Sequence, residues 1–253
     1  MSISYDFTDR RILVTGASAG IGRGICVELA KAGAQVFALA RRADALAELV
    51  AQGEKAGYKH KIVAVVGDTA SSQETLTNLI TPLFPLDGLV NNAGIAKNAQ
   101  IGGVLQKDFD DVYACNVRGP IILSQILAVH WIARKHPGVI VNMSSQAGIR
   151  PLENHLVYCS SKAALDMVTR TLALDLGIHN IRVNSVNPTV VWTDMGRDNW
   201  TDKKKVDNML EKMPIKRFAE IEEVVNATLY LLSDASSLTT GMPLTVDGGF
   251  SFS

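Results

Sequence analysis

The sequence predicts an α/β fold in which helices cover both faces of a parallel sheet of about seven strands. Two patterns support this prediction: short apolar runs alternate with longer segments of helical spacing, and the short runs are apolar at nearly every position. A strand that is apolar on both sides is buried on both sides, which is typical of parallel sheets with helical crossovers. Because such crossovers are almost always right-handed, we expect a doubly wound, Rossmann-like fold.

The alternating pattern gives the order of the elements. Seven apolar runs are predicted strands: Ile12–Thr15, Gln35–Ala40, Ile62–Val66, Leu89–Asn91, Val139–Met143, Ile181–Val186 and Leu244–Val246. The segments of helical spacing are predicted helices: Ile21–Ala32, Ala43–Ala56, Ser72–Leu83, Val104–Val117, Ile121–His136, Tyr158–Gly177, Asp202–Met213 and Ile221–Ser233. No linker-like or low-complexity segment divides the chain, so we expect a single domain over residues 1–253.

The composition excludes several classes of protein. Hydrophobic residues make up 47% of the 253 residues, which allows a sizeable core. The 25 basic and 25 acidic residues cancel, which removes the electrostatic argument for a nucleic acid partner. The three cysteines, Cys26, Cys115 and Cys159, make no CxxC pair, and the histidines do not cluster with cysteines or carboxylates. We therefore expect no disulfide, no metal site and a reducing compartment.

Two segments bear on the location of the protein. Met1–Arg11 is short and polar, without the basic-then-apolar order of a signal peptide. The longest apolar stretch, Ile121–Ala133, is interrupted by Ser124, Gln125 and His130, so it is too short and too polar to span a bilayer. We expect a soluble, cytoplasmic protein without a transmembrane segment.

A glycine-rich turn, Thr15-Gly16-Ala17-Ser18-Ala19-Gly20-Ile21-Gly22, separates the first strand from the first helix. Glycine permits a tight turn, close approach of a pyrophosphate to bare backbone, and close packing of the helix on the strand. The helix N-terminus adds free N–H groups and a positive dipole end. We predict a dinucleotide site, and a glycine-rich turn without a ligand is the alternative. The predicted contacts are Gly16, Ser18, Gly20, Ile21 and Gly22.

The end of the second strand indicates which dinucleotide binds. Proteins that bind NAD usually carry an acid there, about 20 residues after the turn, which accepts hydrogen bonds from the ribose hydroxyls. This strand ends in Leu39-Ala40-Arg41-Arg42, with no acid and two guanidinium groups that suit a 2′-phosphate. The pattern predicts NADPH held by Arg41 and Arg42. The alternative is a solvated basic pair that begins the next helix.

Tyr158 and Lys162 are the candidate catalytic pair. They lie four residues apart on a predicted helix and therefore share a face. We expect the ammonium group to lower the pKa of the phenol towards neutral pH, as a general acid or base requires. Ser145 follows the fifth strand at the edge where ligands bind, and its hydroxyl is suited to hold a carbonyl oxygen. Taken alone, a Tyr/Lys pair on a helix is more typical of a solvated surface.

Together these motifs resemble those of the classical short-chain dehydrogenase/reductase family, over almost the whole chain. The marks of the resemblance, in chain order, are Thr15–Gly22, Asp68, Asn91-Asn92-Ala93-Gly94, Asn116, Ser145, Tyr158-Cys159-Ser160-Ser161-Lys162, Asn187-Pro188 and Asp247-Gly248-Gly249. Three stretches, Asn154–Ser160, Val186–Val191 and the tail from Phe218 to Phe250, are most similar to members that reduce a ketopentose and small dicarbonyls.

The resemblance implies roles that the residues alone do not. It implies a catalytic tetrad of Asn116, Ser145, Tyr158 and Lys162, in which Asn116 holds a proton-relay water. On the bare sequence Asn116 would be a capping or core asparagine. The implied cofactor contacts beyond the turn and the two arginines are Asp68, Thr69, Asn91, Ala93, Gly94, Tyr158, Lys162, Val191 and Thr193. Ala19 departs from the family, whose NADPH-selective members often have a basic residue there, and this leaves the 2′-phosphate to the arginines.

The candidate substrate contacts are Ser145, Gln146, His155, Tyr158 and Trp200. Gln146 and His155 offer hydrogen bonds to hydroxyls or a second carbonyl, and a polar wall suits a sugar or a small dicarbonyl better than a steroid. His155 is equally well interpreted as a loop histidine bonded to backbone, and a lone tryptophan is more often a packing residue. The resemblance also implies a mobile lid over the segment Thr193–Asp198.

The sequence thus predicts an NADPH-dependent carbonyl reductase acting on a small-molecule substrate, in which Tyr158 donates a proton to the carbonyl oxygen. Two alternatives stay open: a reductase of another carbonyl, of 3-oxoacyl or hydroxysteroid type, and a catalytically silent nucleotide-binding protein. The helices that contain Ala114–His136 and Tyr158–Gly177 look too apolar to face water on all sides. In the family such helices pair between subunits, so we expect a homotetramer.

Overall fold

The computed structural model describes residues 4–58, 62–193, 196–197 and 200–253. Within them, seven strands pair in parallel into one sheet of order β3-β2-β1-β4-β5-β6-β7. The strands are β1 (Arg11–Thr15), β2 (Gln35–Ala40), β3 (Ile62–Val66), β4 (Gly88–Asn91), β5 (Gly138–Met143), β6 (Ile181–Pro188) and β7 (Pro243–Val246). The predicted α/β sheet is confirmed. The strand order reverses between β1 and β4, so the loops after these strands diverge and open a crevice at the carboxyl edge.

Helices pack on both faces of the sheet. In chain order they are α1 (Gly20–Lys31), α2 (Ala43–Lys55), α3 (Gln73–Ile80), α4 (Gln106–Tyr113), α5 (Gly119–Arg134), α6 (Leu156–Leu176), α7 (Lys203–Glu211) and α8 (Ile221–Leu232). One hydrophobic core contains buried residues of α1, α2 and α8, and the other contains buried residues of α3, α5 and α6. The division of the chain into domains stays a prediction.

The two cores explain why the strands are apolar at every position. In β1, Ile12 and Val14 belong to the core under α1, α2 and α8, while Leu13 between them belongs to the opposite core. Successive side chains of a strand point to opposite faces, so a strand between two helical layers needs apolar residues throughout.

α4 and α5 form one continuous helical run, whereas the sequence predicted two separate helices. A π-helical turn at Ala114–Arg118 joins them. Pro120, in the first turn of α5, has no N–H to donate to the carbonyl of Asn116 four residues earlier, so the α-helical ladder cannot continue there. The wider π turn absorbs this loss without ending the helix.

By length and composition alone, the run Gln106–Arg134 is apolar enough to cross a membrane. The core helix of a globular protein passes the same test, and here Leu123, Leu127 and Trp131 are fully buried against the sheet. Val129 on the same run is 62% exposed, so the outer side of the helix is also apolar.

A third, smaller cluster packs over the carboxyl edge of the sheet, and we call it the edge cluster. Its buried members are Met209, Met213, Phe218 and Phe250, and partly buried members include Leu152, Trp192 and Trp200. It brings α7 and the last residues of the chain close to the crevice.

We expect Gly138→Ala to destabilise the protein. A Cβ at this position would lie 2.3 Å from Cε3 of Trp131, which is fully buried and donates its Nε1–H to the carbonyl of Leu86 at 2.6 Å. Overpacking of this kind typically costs about 1–3 kcal/mol, which urea denaturation would measure as a lower unfolding midpoint. Gly177→Ala is the matched control, since its Cβ would meet nothing within 4 Å. Equal midpoints for the two variants would contradict this packing.

Candidate active site

A cavity of about 950 Å³ lies at the carboxyl edge of the sheet, among the loops that follow β1 to β6. Most of the residues predicted for the site line it. They are Gly16, Ser18, Gly20, Ile21, Arg41, Arg42, Asp68, Thr69, Ala93, Gly94, Ser145, Gln146, His155, Tyr158, Lys162, Val191, Thr193 and Trp200. Three others, Gly22, Asn91 and Asn116, lie behind the wall.

The glycine-rich turn has the geometry that its sequence predicts. Gly16 and Gly20 have φ of 66° and 52°, in the left-handed region that favours glycine. A Cβ on Gly22 would lie 2.4 Å from the carbonyl oxygen of Gly16, so this glycine lets α1 pack closely on the turn instead of facing the cavity. The N-cap of α1, Ala19, makes no side-chain cap, and the first N–H groups of the helix are therefore available to an anion.

The two asparagines after β4 have opposite orientations. Asn91 is 2% exposed, and its amide donates to Asn142 Oδ1 at 2.9 Å and to Ser124 Oγ at 3.2 Å inside the core. Asn92, which belongs to the same family mark but was not among the predicted contacts, lines the cavity and donates to the carbonyl of Thr15 at 2.9 Å. The side chain that lines the cavity here is therefore that of Asn92, and a contact of Asn91 with the cofactor stays a prediction. Asn92 fastens the glycine-rich turn to the neighbouring strand.

Both arginines lie at one end of the cavity. Arg42 donates to Ser18 Oγ at 3.2 Å, and Nη1 of Arg41 lies 3.9 Å from Oδ2 of Asp68. The Arg41 side chain is 70% exposed, so this ion pair is weak and leaves most of its donors open. Two guanidinium groups and a serine hydroxyl beside the open helix end make a cationic, donor-rich corner.

The candidate catalytic side chains meet at the other end. Tyr158 and Ser145 both line this end, where Ser145 lowers the pKa of the Tyr158 hydroxyl, and Ser145 Oγ accepts from Ala147 N at 3.1 Å. Lys162 is 3% exposed, donates to the carbonyl of Met143 at 2.7 Å, and lies 5.7 Å from the ring centroid of Tyr158. α6 thus places the phenol and the ammonium side by side, with the serine facing the phenol from the end of β5.

Burial has the largest effect on the pKa values of Tyr158 and Lys162. It raises the pKa of Tyr158 above its usual 10.0, and the hydrogen bond from Ser145 opposes this only in part. The expected lowering by Lys162 is not found, because the ammonium lies over the ring and bonds to backbone instead of meeting the hydroxyl. Burial also lowers the pKa of Lys162 to about 8. At neutral pH the phenol is therefore protonated and the lysine mostly charged.

Asn116 holds the loop after β4. Its Oδ1 accepts from the N–H of Ile95 and its Nδ2 donates to the carbonyl of the same residue, each at 2.9 Å. A Cβ on Gly94 would lie 3.4 Å from both Asn116 Oδ1 and Lys162 Nζ, so the glycine leaves a gap between these two groups. The relay water at Asn116 stays a prediction.

The predicted substrate contacts include two buried polar groups. Gln146 is 1% exposed, and its Oε1 has no hydrogen-bond partner among the residues that the structure describes. His155 donates from Nδ1 to the carbonyl of Glu153 at 2.6 Å, which leaves Nε2 as an acceptor in the neutral ring. Burial lowers the pKa of His155, which favours this neutral form. His155 is bonded to backbone and also lines the cavity, and its contact with the substrate stays a prediction.

Trp200 both packs against a neighbouring ring and lines the cavity. Its ring meets Phe218 edge-on at 5.4 Å within the edge cluster, and it forms part of the cavity wall. The predicted lid, Thr193–Asp198, includes residues 194, 195 and 198, which lie outside the described residues.

The sequence and the fold are similar to those of several known proteins. A family model described as enoyl-(acyl carrier protein) reductase matches residues 16–251. The chain is 61% identical to L-xylulose reductase of Caenorhabditis elegans over 99% of both chains. It is 38% identical to carbonyl reductase (NADPH) 2 of Sus scrofa, over 98% of this chain and 99% of the relative. The solved gluconate 5-dehydrogenase of Burkholderia cenocepacia, in complex with NADP and tartrate, superposes with a TM-score of 0.91 at 27% identity, over 98% of this chain and 97% of that one.

We expect Asn92→Ala to weaken dinucleotide binding. The variant removes the amide that fastens the turn at Thr15, and a lost hydrogen bond of about 1–2 kcal/mol corresponds to a roughly tenfold higher Kd. Quenching of intrinsic fluorescence by NADPH measures this constant. Asn226→Ala, the same change at an exposed site on α8, should leave the Kd unchanged. An unchanged Kd in Asn92→Ala would show that Asn92 does not support the turn.

Proposed function

The chain belongs to the short-chain dehydrogenase/reductase family, and from that premise we propose that it is an NADPH-dependent carbonyl reductase acting on L-xylulose, which it converts to xylitol, and on small α-dicarbonyls such as diacetyl. The observation that carries this proposal is that Ser145, Tyr158 and Lys162 line the same cavity as the glycine-rich turn. The names of the relatives, L-xylulose reductase and carbonyl reductase (NADPH) 2, support the substrate and the cofactor.

NADPH fits the residues of the cavity. The open N-terminus of α1 suits the pyrophosphate, and the corner formed by Ser18, Arg41 and Arg42 suits the 2′-phosphate. Lys162, at the other end, has donors for the nicotinamide ribose. When bound, NADPH supplies the hydride for the carbonyl carbon.

The side chains of the site handle the oxygen of the substrate. Ser145 orients the carbonyl oxygen and stabilises the negative charge that develops there. Tyr158 is protonated at neutral pH because burial raises its pKa, and it donates this proton to the oxygen. Lys162, whose ammonium group lies 5.7 Å from the centre of the Tyr158 ring, is held beside the phenol by its hydrogen bond to the Met143 carbonyl.

The polar groups of the substrate end favour a hydroxylated substrate. The unpaired Oε1 of Gln146 and the Nε2 acceptor of His155 need donors that a ketose hydroxyl supplies. A buried polar group left unpaired costs about 1–3 kcal/mol, so an apolar ketone is disfavoured.

A second candidate, reduction of a carbonyl carried by an acyl carrier, is favoured only by the description of the matching family model. Steady-state oxidation of NADPH with L-xylulose, diacetyl, an acetoacetyl thioester and a ketosteroid separates the candidates. The proposal requires the highest kcat/KM for L-xylulose or diacetyl. Turnover of none of the four would favour a silent nucleotide-binding protein.

We also propose that the protein is a cytoplasmic homotetramer. Its cysteines are all free, as a reducing compartment requires. The outer face of α4 and α5 exposes apolar side chains, as does that of α6. These side chains are Phe109, Ile121, Val129 and Ile132, and Met167 and Leu174. Faces of this kind suit pairing between subunits.

Sedimentation equilibrium at micromolar concentration tests the assembly. We expect a mass four times that of the 27.3 kDa chain, because pairing of the helical faces removes their apolar side chains from water. Val129→Glu should shift the mass towards smaller species, while Leu238→Glu, an exposed position in the loop before β7, serves as a control. A mass near that of one chain for the wild type would refute the tetramer.

We expect Tyr158→Phe to abolish turnover while the fold and the Kd for NADPH are kept. The variant lacks only the proton donor, and general acid catalysis contributes about 10²–10⁴-fold, so kcat should fall by that factor. Tyr113→Phe, at the end of α4, removes a hydroxyl outside the cavity and should keep full activity. If Tyr158→Phe keeps more than a few per cent of the wild-type kcat, Tyr158 is not the general acid.

We expect Arg41→Ala to raise KM for NADPH roughly ten- to a hundredfold and to leave KM for NADH nearly unchanged. The reason is that a charged hydrogen bond to the 2′-phosphate is worth about 1.5–3 kcal/mol, and NADH lacks this group. Arg134→Ala, an exposed change at the end of α5, is the control. Equal increases for both cofactors would make Arg41 a structural residue.

A further inference from the structure

Asp166 is a buried carboxylate behind the cavity wall. It lies on α6 four residues after Lys162 and eight after Tyr158, on the same helical face, and is 5% exposed. Its Oδ1 accepts from Ser185 Oγ at 3.1 Å, and its Oδ2 accepts from Asn187 Nδ2 at 2.9 Å. Burial raises the pKa of this carboxyl group, and the neighbouring hydroxyl and amide donors oppose the rise. Burying a carboxylate lowers the stability of the protein unless hydrogen-bond donors and a nearby cation offset the free energy of removing it from water.

One of these donors connects Asp166 to the candidate catalytic serine. The amide Nδ2 of Asn187 donates both to Asp166 and, at 3.1 Å, to the backbone carbonyl of Ser145. Asn187 is 0% exposed, so water does not compete for this contact. The carboxylate thus fixes the orientation of the amide, and the amide fixes the backbone that carries the Ser145 hydroxyl.

The turn after Ser145 also packs directly on the carboxylate. A Cβ on Gly148 would lie 2.7 Å from Oδ2 of Asp166 and 2.9 Å from the backbone carbon of Lys162. Only a residue without a side chain lets the turn approach this closely. The short 3₁₀ turn Gln146–Gly148, whose N-cap is Ser145, is therefore positioned against Asp166 from two sides.

The charge of Asp166 acts on Lys162. The titratable groups that face Lys162 are Tyr158 and Asp166 on α6 and Cys115 on the π turn. Burial raises the pKa values of Cys115 and Tyr158, so both are neutral at neutral pH. Asp166 is then the group whose negative charge favours the charged form of Lys162 against the burial that lowers its pKa.

We propose that Asp166 is a positioning residue for carbonyl reduction, which holds Ser145 in place through Asn187 and favours the protonated form of Lys162 by its charge. This inference rests on the proposed function, since it concerns the residues that handle the substrate oxygen. It differs from a purely structural role in that it couples Asp166 to kcat and to the titration of Lys162.

The test compares Asp166→Asn, Asp166→Leu and Asn187→Ala with the exposed change Asp175→Asn on the same helix as control. Three quantities are measured: kcat and KM for L-xylulose and diacetyl with NADPH, the melting temperature, and the pKa of Lys162. NMR of protein labelled at the lysine Cε, assigned with Lys162→Arg, gives this pKa without any need for turnover.

Because Ser145 would no longer be held in position, kcat should fall roughly 10- to 100-fold in Asp166→Leu and Asn187→Ala, with KM for NADPH nearly unchanged. Asp166→Asn keeps the shape of the side chain but removes its charge. Since an anion raises the pKa of a neighbouring ammonium, its removal should lower the pKa of Lys162 from about 8 by roughly half a unit or more. Asn187→Ala should leave that pKa unchanged, and Asp175→Asn should change none of the three quantities.

The proposal is overturned if Asn187→Ala has a lower melting temperature but wild-type kcat, and if Asp166→Asn leaves the pKa of Lys162 unchanged. Asp166 would then be a structural residue. If Asp166→Leu does not fold, the isosteric Asp166→Asn and the Asn187 variant still decide. If the wild type reduces none of the carbonyls, the proposed function fails, while the NMR titration still decides whether Asp166 controls Lys162.

Discussion

A polar seam between α6 and the strands β5 and β6 fixes the geometry of the catalytic half of the site. Along one face of α6, Lys162 donates to Met143, Asp166 accepts from Asn187, and Thr169 accepts from Asn142. Each bond contributes only about 1 kcal/mol net, but a buried polar group left unpaired costs about 1–3 kcal/mol. Shifting α6 by one turn would leave several such groups unpaired at once. The seam therefore permits one register, and in that register Tyr158 meets Ser145.

The other half of the site depends on the reversal of strand order between β1 and β4. The glycine-rich turn follows β1, and Asn92 ties it to the loop after β4, which Asn116 in turn holds from the π turn. The glycine-rich turn and the polar seam are thus connected by hydrogen bonds between these asparagine side chains and the backbone. The cationic corner and the catalytic side chains lie at opposite ends of the same cavity, as a dinucleotide requires. In this family, the side chains that meet at the carboxyl edge of the sheet therefore determine what is bound and which reaction is catalysed.

Features that depend on local sequence could be predicted, and those that depend on distant packing could not. Continuous apolar runs gave the strands to within two residues, and glycine spacing gave the turn, because both are local requirements. The burial of the Asn91 side chain does not follow from the local sequence, because it depends on Asn142, its partner on β5. The direction of the Tyr158 pKa was missed because burial, a property of the whole fold, outweighs a charge four residues away. The sequence predicted two separate helices, and only the structure shows that a π turn joins them at Pro120.

A crystal structure of the protein with NADP⁺ would show whether the cavity binds the dinucleotide with its reactive ring at the catalytic end. We expect the pyrophosphate at the N-terminus of α1, the 2′-phosphate within hydrogen-bond distance of Arg41 or Arg42, and the nicotinamide ring beside Tyr158 and Ser145. A 2′-phosphate that contacts neither arginine, or a nicotinamide ring remote from the Tyr158 hydroxyl, would contradict this expectation.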